Sequence, residues 1–163
     1  MIYYLIASIL IAVTALFART KRAVLAAGIL FYAVQIAAAG LLLWGGLYDT
    51  TSAAFFTFDA LGTLFYLLLV VVSMYVFGHS EAYLQGEDLR SYRLYLALLM
   101  LLTTAIAGAY FANNLAVTWI FLEATTLCSA GIIYHRRTAQ TLEAAWKYVF
   151  VCSTGIAMAY LGI

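Results

Sequence analysis

Six apolar runs, each about the length of a bilayer-crossing helix, follow one another along this chain without a single proline. They lie near residues 2–17, 23–47, 59–77, 94–111, 115–134 and 142–163. The polar breaks between them fall at 18–22 (ARTKR), 48–52 (YDTTS), 78–93, 112–114 (ANN) and 135–141 (HRRTAQT). Hydrocarbon offers no hydrogen bonds, so a spanning segment must satisfy its own backbone as a helix or as part of a closed barrel. Barrel strands would show as ten-residue stretches of alternating polarity, and the chain has none. The expectation is an all-α integral membrane protein, with six transmembrane helices in a single domain over residues 1–163. Only 9% of the residues are charged and the mean hydropathy is +1.02, against roughly a quarter charged in a soluble domain. A net charge of +1 gives no reason to expect a nucleic-acid partner.

The first run, MIYYLIASILIAVTALFARTKR, carries its positive cluster after the apolar stretch. A cleaved signal peptide has the opposite order, so this run is read as the first span. Seven of the eight basic residues (Arg19, Lys21, Arg22, Arg90, Arg93, Arg136 and Arg137) fall in the first, third and fifth breaks, with none in the second or fourth. The positive-inside rule then places loops 18–22, 78–93 and 135–141 in the cytoplasm and the N-terminus outside. The third break reads as a solvated hairpin. The stretch before Asp59 reads as running along the outer surface. Tyr3, Tyr4, Trp44, Tyr48, Tyr83, Tyr92 and Tyr134 lie near span ends, where amphipathic rings favour the headgroup level. Cys128 and Cys152 lie within apolar runs without metal-ligand spacing and read as small buried hydrophobes.

The eighth basic residue, Lys147, lies inside the sixth run, and Glu123 lies inside the fifth. Nine residues separate Glu123 from Asn114, which sets it about 13 Å deep in a hydrocarbon core of about 30 Å. An ionisable group at the bilayer centre costs about 2.5–3.5 kcal/mol on the mildest scale and marks functional sites. Trp119 and Thr126 share a helical face with Glu123 as possible partners, and Glu143 stands one turn before Lys147. Glu123 and Lys147, on consecutive antiparallel helices, differ in depth by about 8 Å, a gap one or two waters can bridge. Burial favours the neutral form of each and mutual attraction the charged form. A proton relay needs groups balanced in this way. Asp59 reads as the N-cap of the third helix. His79 and His135 sit at span ends in headgroup-facing positions, with His135 a candidate proton entrance.

Residues 113–163, and most specifically NNL (113–115), EATTL (123–127) and LEAAWKY (142–148), resemble a known family. It comprises the antiporter-like, proton-conducting subunits of complex I and of group 4 membrane-bound NiFe hydrogenases. The pattern is nearest to the antiporter-like subunit of hydrogenase-4 and its formate-hydrogenlyase relatives, and the resemblance runs over about residues 55–163. It implies that Glu123 is the central proton-transfer glutamate of the fifth helix and Lys147 the lysine of the sixth. Glu143, Thr126, His135 and Asp59 are possible supporting residues. It implies proton translocation driven by electron transfer, with no cofactor in this chain and with NiFe and Fe–S or other redox centres in partner subunits. Partners would be other polytopic membrane subunits and a peripheral redox arm, in a bacterial or archaeal cell membrane. The family fold has about fourteen helices with inverted repeats, so six helices suggest its N-terminal portion, as a fragment or split half. Alternatives are a Na+/H+ antiporter subunit, or a truncated homologue that only braces a membrane arm.

The charge pattern generates a test of orientation. Cysteines introduced at Thr20 and Gln140 are expected to resist membrane-impermeant thiol reagents in intact cells. Labelling of both from outside would overturn the orientation.

Overall fold

The computed structural model describes residues 2–45 and 55–162. It contains six α-helices: α1 Ile2–Phe17, α2 Lys21–Leu43, α3 Ala60–Tyr83, α4 Leu89–Phe111, α5 Leu115–Ile133 and α6 Ala139–Leu161. A 3-10 turn, Tyr134–Arg136, follows α5. The last five helices are each long and apolar enough to cross a membrane. The 16-residue α1 is shorter, about 24 Å at 1.5 Å per residue. Short polar side chains start four of the helices by accepting bonds from free backbone N–H groups. Thr20 accepts from Ala23, Asp59 from Gly62 and Asn114 from Ala116. At α6, Thr138 and Thr141 cap each other reciprocally. The capping reading of Asp59 is therefore what its carboxylate does.

The odd breaks gather at one end of the bundle. Lys21 Nζ donates to the Glu87 carbonyl at 2.7 Å, and Arg93 donates to the Ala18 carbonyl at 3.1 Å. Ser91 donates to the His135 carbonyl at 3.3 Å, and Arg136 pairs with Glu87 at 3.1 Å. We call this the basic end. At the opposite end, Phe56 and Ala112 form an isolated antiparallel bridge that ties the segment before α3 to the α4–α5 connection. Phe56 is buried there. Tyr48 and the 48–52 break lie outside the described residues.

Helix α4 is the centre of the bundle and packs against α1, α2, α3 and α5. In lipid, helices associate by close packing more than by the hydrophobic effect, which favours small residues at contacts. Ala12, Ala15, Ala97 and Ala107 are accordingly fully buried. Gly108 of α4 lies so close to Phe121 of α5 that a Cβ there would overlap the ring. The other extreme is α6, where Ala145 is the one buried residue among those described.

Several sequence-based expectations change here. Helix α3 runs on to Tyr83 and α4 starts at Leu89, so the broad third hairpin shrinks to residues 84–88, with Leu84 buried in the core. Polarity marks where a helix leaves lipid, and the helix itself continues beyond that point. Tyr4 and Tyr92 turn inward: Tyr4 bonds Gln35 at 2.6 Å and Tyr92 bonds the Glu81 carboxylate. Tyr3 and Trp44, by contrast, are exposed near helix ends. Cys128 and Cys152 are free thiols, each only half-buried.

Candidate functional site

The α5–α6 hairpin positions the site. Asn114 fixes where α5 begins, and the Thr138–Thr141 capping box fixes where α6 begins. Glu123 and Ser153 lie equally far along the chain on either side of Thr138, so an antiparallel hairpin brings them to one level. The Ser153 hydroxyl donates to Glu123 Oε1 at 2.5 Å, with Glu123 partly buried. A hydroxyl can donate to a carboxylate or accept from a carboxylic acid, so this bond can persist in either protonation state. About one turn nearer the opposite end, Trp119 packs on Tyr160 with ring centroids 5.7 Å apart, closing the hairpin above the carboxyl.

Lys147 is elsewhere. Its Nζ bonds Glu143 Oε1 at 2.5 Å, and both side chains are mostly exposed, 71% and 66%. Six residues separate Lys147 from Ser153, which at about 100° per residue puts them about 120° apart around α6. The helix face that meets Glu123 is thus a different face from the one carrying the ion pair, and the two ionisable groups do not meet. Their separation along the axis is about 9 Å, from six residues of rise. Thr126 does not reach the carboxyl either; its hydroxyl donates to the Glu123 backbone carbonyl at 2.7 Å. Thr118, Thr125 and Ser129 likewise bond carbonyls three or four residues earlier, the usual resort of a hydroxyl within a helix. Asp59 is occupied with its cap at the opposite end of the bundle.

The two histidines part company. His79 is exposed and stacks on Tyr75, in line with a headgroup-facing position. His135 is buried, because the 3-10 turn folds its ring back against Tyr83 and Tyr95. The spans also hide a polar cluster that hydropathy alone does not reveal. Tyr4 and Tyr66 both donate to Gln35 Oε1, at 2.6 and 2.7 Å, between α1, α2 and α3. Ser153 likewise escapes a reading that looks only for charge. The signal that finds it is its register, since counting outward from the loop centre at Thr138 pairs it with Glu123. Among the described residues no group of three or more His, Cys, Asp and Glu stands together as a metal would require.

Fold and site together define a multi-pass α-helical membrane protein with a carboxyl group held in the middle of a span. Within that class, the chain is similar to a hydrogenase-4 component F homolog from Methylacidiphilum infernorum (isolate V4), at 31% identity over 119 residues. This bears out the resemblance read from the sequence. The alignment takes in 67% of this chain and 24% of that relative, so the chain spans about a quarter of its length. No family model matches the chain, and no solved structure matches it.

The hairpin geometry generates a test. In a double-mutant cycle of Ser153→Ala with Glu123→Leu, a coupling of about 0.6–1.7 kcal/mol is expected, the range for bonds between membrane helices. Chemical unfolding in mild detergent measures it. Additive losses would show that the two side chains do not interact.

Proposed function

We infer that this chain belongs to a proton-translocating membrane subunit of a redox-driven complex, with Glu123 taking up and releasing a proton in mid-membrane. The observation that carries this reading is the carboxyl's partner. Glu123 is met by a neutral hydroxyl, and the one lysine of the neighbouring helix is engaged with Glu143. A cation in direct contact would hold the carboxylate charged, because opposite charge stabilises the ionised form. Ser153 instead serves both forms, donating to the carboxylate and accepting from the acid. Protonation of Glu123 thus changes the local charge without requiring the hairpin to open. Lys147, about 9 Å further towards the basic end, is the second proton-transfer group of this reading.

The similarity to a hydrogenase-4 component F homolog supports placing the subunit in a hydrogenase or complex I-like assembly. In this reading the redox centres, NiFe and Fe–S, belong to partner subunits. The six helices correspond to the N-terminal portion of the larger antiporter-like fold, beside other polytopic subunits and a peripheral redox arm. The basic end faces the cytoplasm of a bacterial or archaeal cell.

The test is proton uptake by vesicles holding the intact complex, with electron transfer followed in parallel. Glu123→Gln keeps the shape and bonding of a neutral glutamate and cannot ionise. It is expected to leave the complex assembled and to abolish coupled proton movement, whereas Glu123→Asp retains part of it. Lys147→Met is expected to weaken pumping less than Glu123→Gln. Wild-type pumping by Glu123→Gln would reduce these helices to a brace.

A further inference from the structure

At the basic end, an open-sided cavity of about 470 Å³ lies between α3 and the α5–α6 turn. Its lining includes His79, Tyr83, Tyr95, His135, Arg136 and Thr141. His135 is buried, at 5% exposure, and its Nδ1 lies 2.8 Å from the Ile132 carbonyl oxygen. A carbonyl oxygen only accepts, so Nδ1 carries the hydrogen of that bond. In the neutral ring Nε2 is then a bare acceptor. That atom is buried and has no hydrogen-bond partner among the described residues.

The groups around the ring suit a site that gains and loses charge. Tyr83 of α3 and Tyr95 of α4 present their rings at centroid distances of 6.0 and 5.4 Å. Aromatic rings at this range can stabilise an imidazolium without fixing it as a carboxylate would. The full charge among the lining residues, Arg136, lies over Tyr83 and is paired with Glu87. His79 lines the same cavity on the α3 side and is exposed. From α6 the lining group is Thr141, whose hydroxyl is engaged with Thr138. None of the described residues lining the cavity is a carboxylate. Ser91 holds the His135 carbonyl, so the turn is anchored from α4 as well.

We propose that His135 Nε2 is the proton-accepting atom of this cavity. A proton delivered from the cavity side binds Nε2 and converts imidazole to imidazolium, while Nδ1–H stays on the Ile132 carbonyl. Loss of the same proton restores the neutral ring. Twelve residues separate His135 from Glu123, about 18 Å along the helix, so the transfer between them needs an intermediate carrier. The destination rests on the relay role of Glu123; the chemistry at His135 does not.

Two measurements on the intact complex test this. Nitrogen-15 solid-state NMR of histidine-labelled complex reads the protonation of Nε2 directly. His135 Nε2 is expected to pass from unprotonated to protonated as pH is lowered, with Nδ1–H kept throughout, in wild type and in Glu123→Gln alike. His135→Asn keeps a donor for the Ile132 carbonyl and removes the basic nitrogen. It is expected to slow proton uptake about a hundredfold, the lower end of what a positioned proton-transfer group contributes, with electron transfer preserved. A ring whose Nε2 stays unprotonated as pH is lowered, or wild-type uptake by His135→Asn, overturns the proposal. If His135→Asn does not assemble, the wild-type NMR titration decides alone. Uptake lost in His135→Asn but kept in Glu123→Gln would uphold His135 and refute the relay.

Discussion

A lipid-facing backbone and its polar side chains must find their hydrogen bonds inside the protein, and this constraint shapes everything else in the structure. It makes the apolar runs helical and places Thr, Asp and Asn at their starts. It turns the hydroxyls of Thr103, Thr104, Thr125, Thr126 and Ser129 back onto carbonyls of their own helices. It draws Tyr4 and Tyr66 onto the one amide of Gln35. Beside these neutral pairings, two ionisable side chains carry the proposed proton chemistry. Glu123 is held by a hydroxyl able to serve either protonation state, and His135 is buried with one ring nitrogen bonded and the other not.

The number and alternation of the helices were legible in the sequence because both follow from hydropathy. The bonds among residues 18–21, 87–93 and 135–136 join the breaks that the arginines had marked as sharing a side. Asp59 was legible as a helix cap because its short side chain can reach back to a free N–H, and Asn114 was legible as the end of a polar break. Depth was legible too, since rise per residue places Glu123 in mid-span. Azimuth was not. Whether Lys147 turns towards Glu123 depends on which face of α6 meets α5, and that is set by the Thr138 cap and the packing of the hairpin. Tyr92 and His135 were misplaced because a position near a span end says nothing about which way the ring points.

The bare face of α6 bears on what surrounds the chain. An exposed Glu143–Lys147 pair is inexpensive in water and costly in hydrocarbon. The proposed assembly resolves this by giving the pair a polar or protein neighbour. In the proposed relay Lys147 stands on the outer face of the hairpin, while Glu123 and Ser153 stand within it. The proposed relay then draws on two faces of one helix.

The central claim is that Glu123 changes protonation in place while its bond to Ser153 is kept. Infrared difference spectroscopy of the intact complex, comparing resting and turning-over states, addresses it most directly. The account predicts a carboxylic-acid carbonyl band that rises and falls with turnover, is absent in Glu123→Gln, and shifts in Ser153→Ala. A Glu123 carboxyl that keeps one protonation state throughout turnover would contradict it.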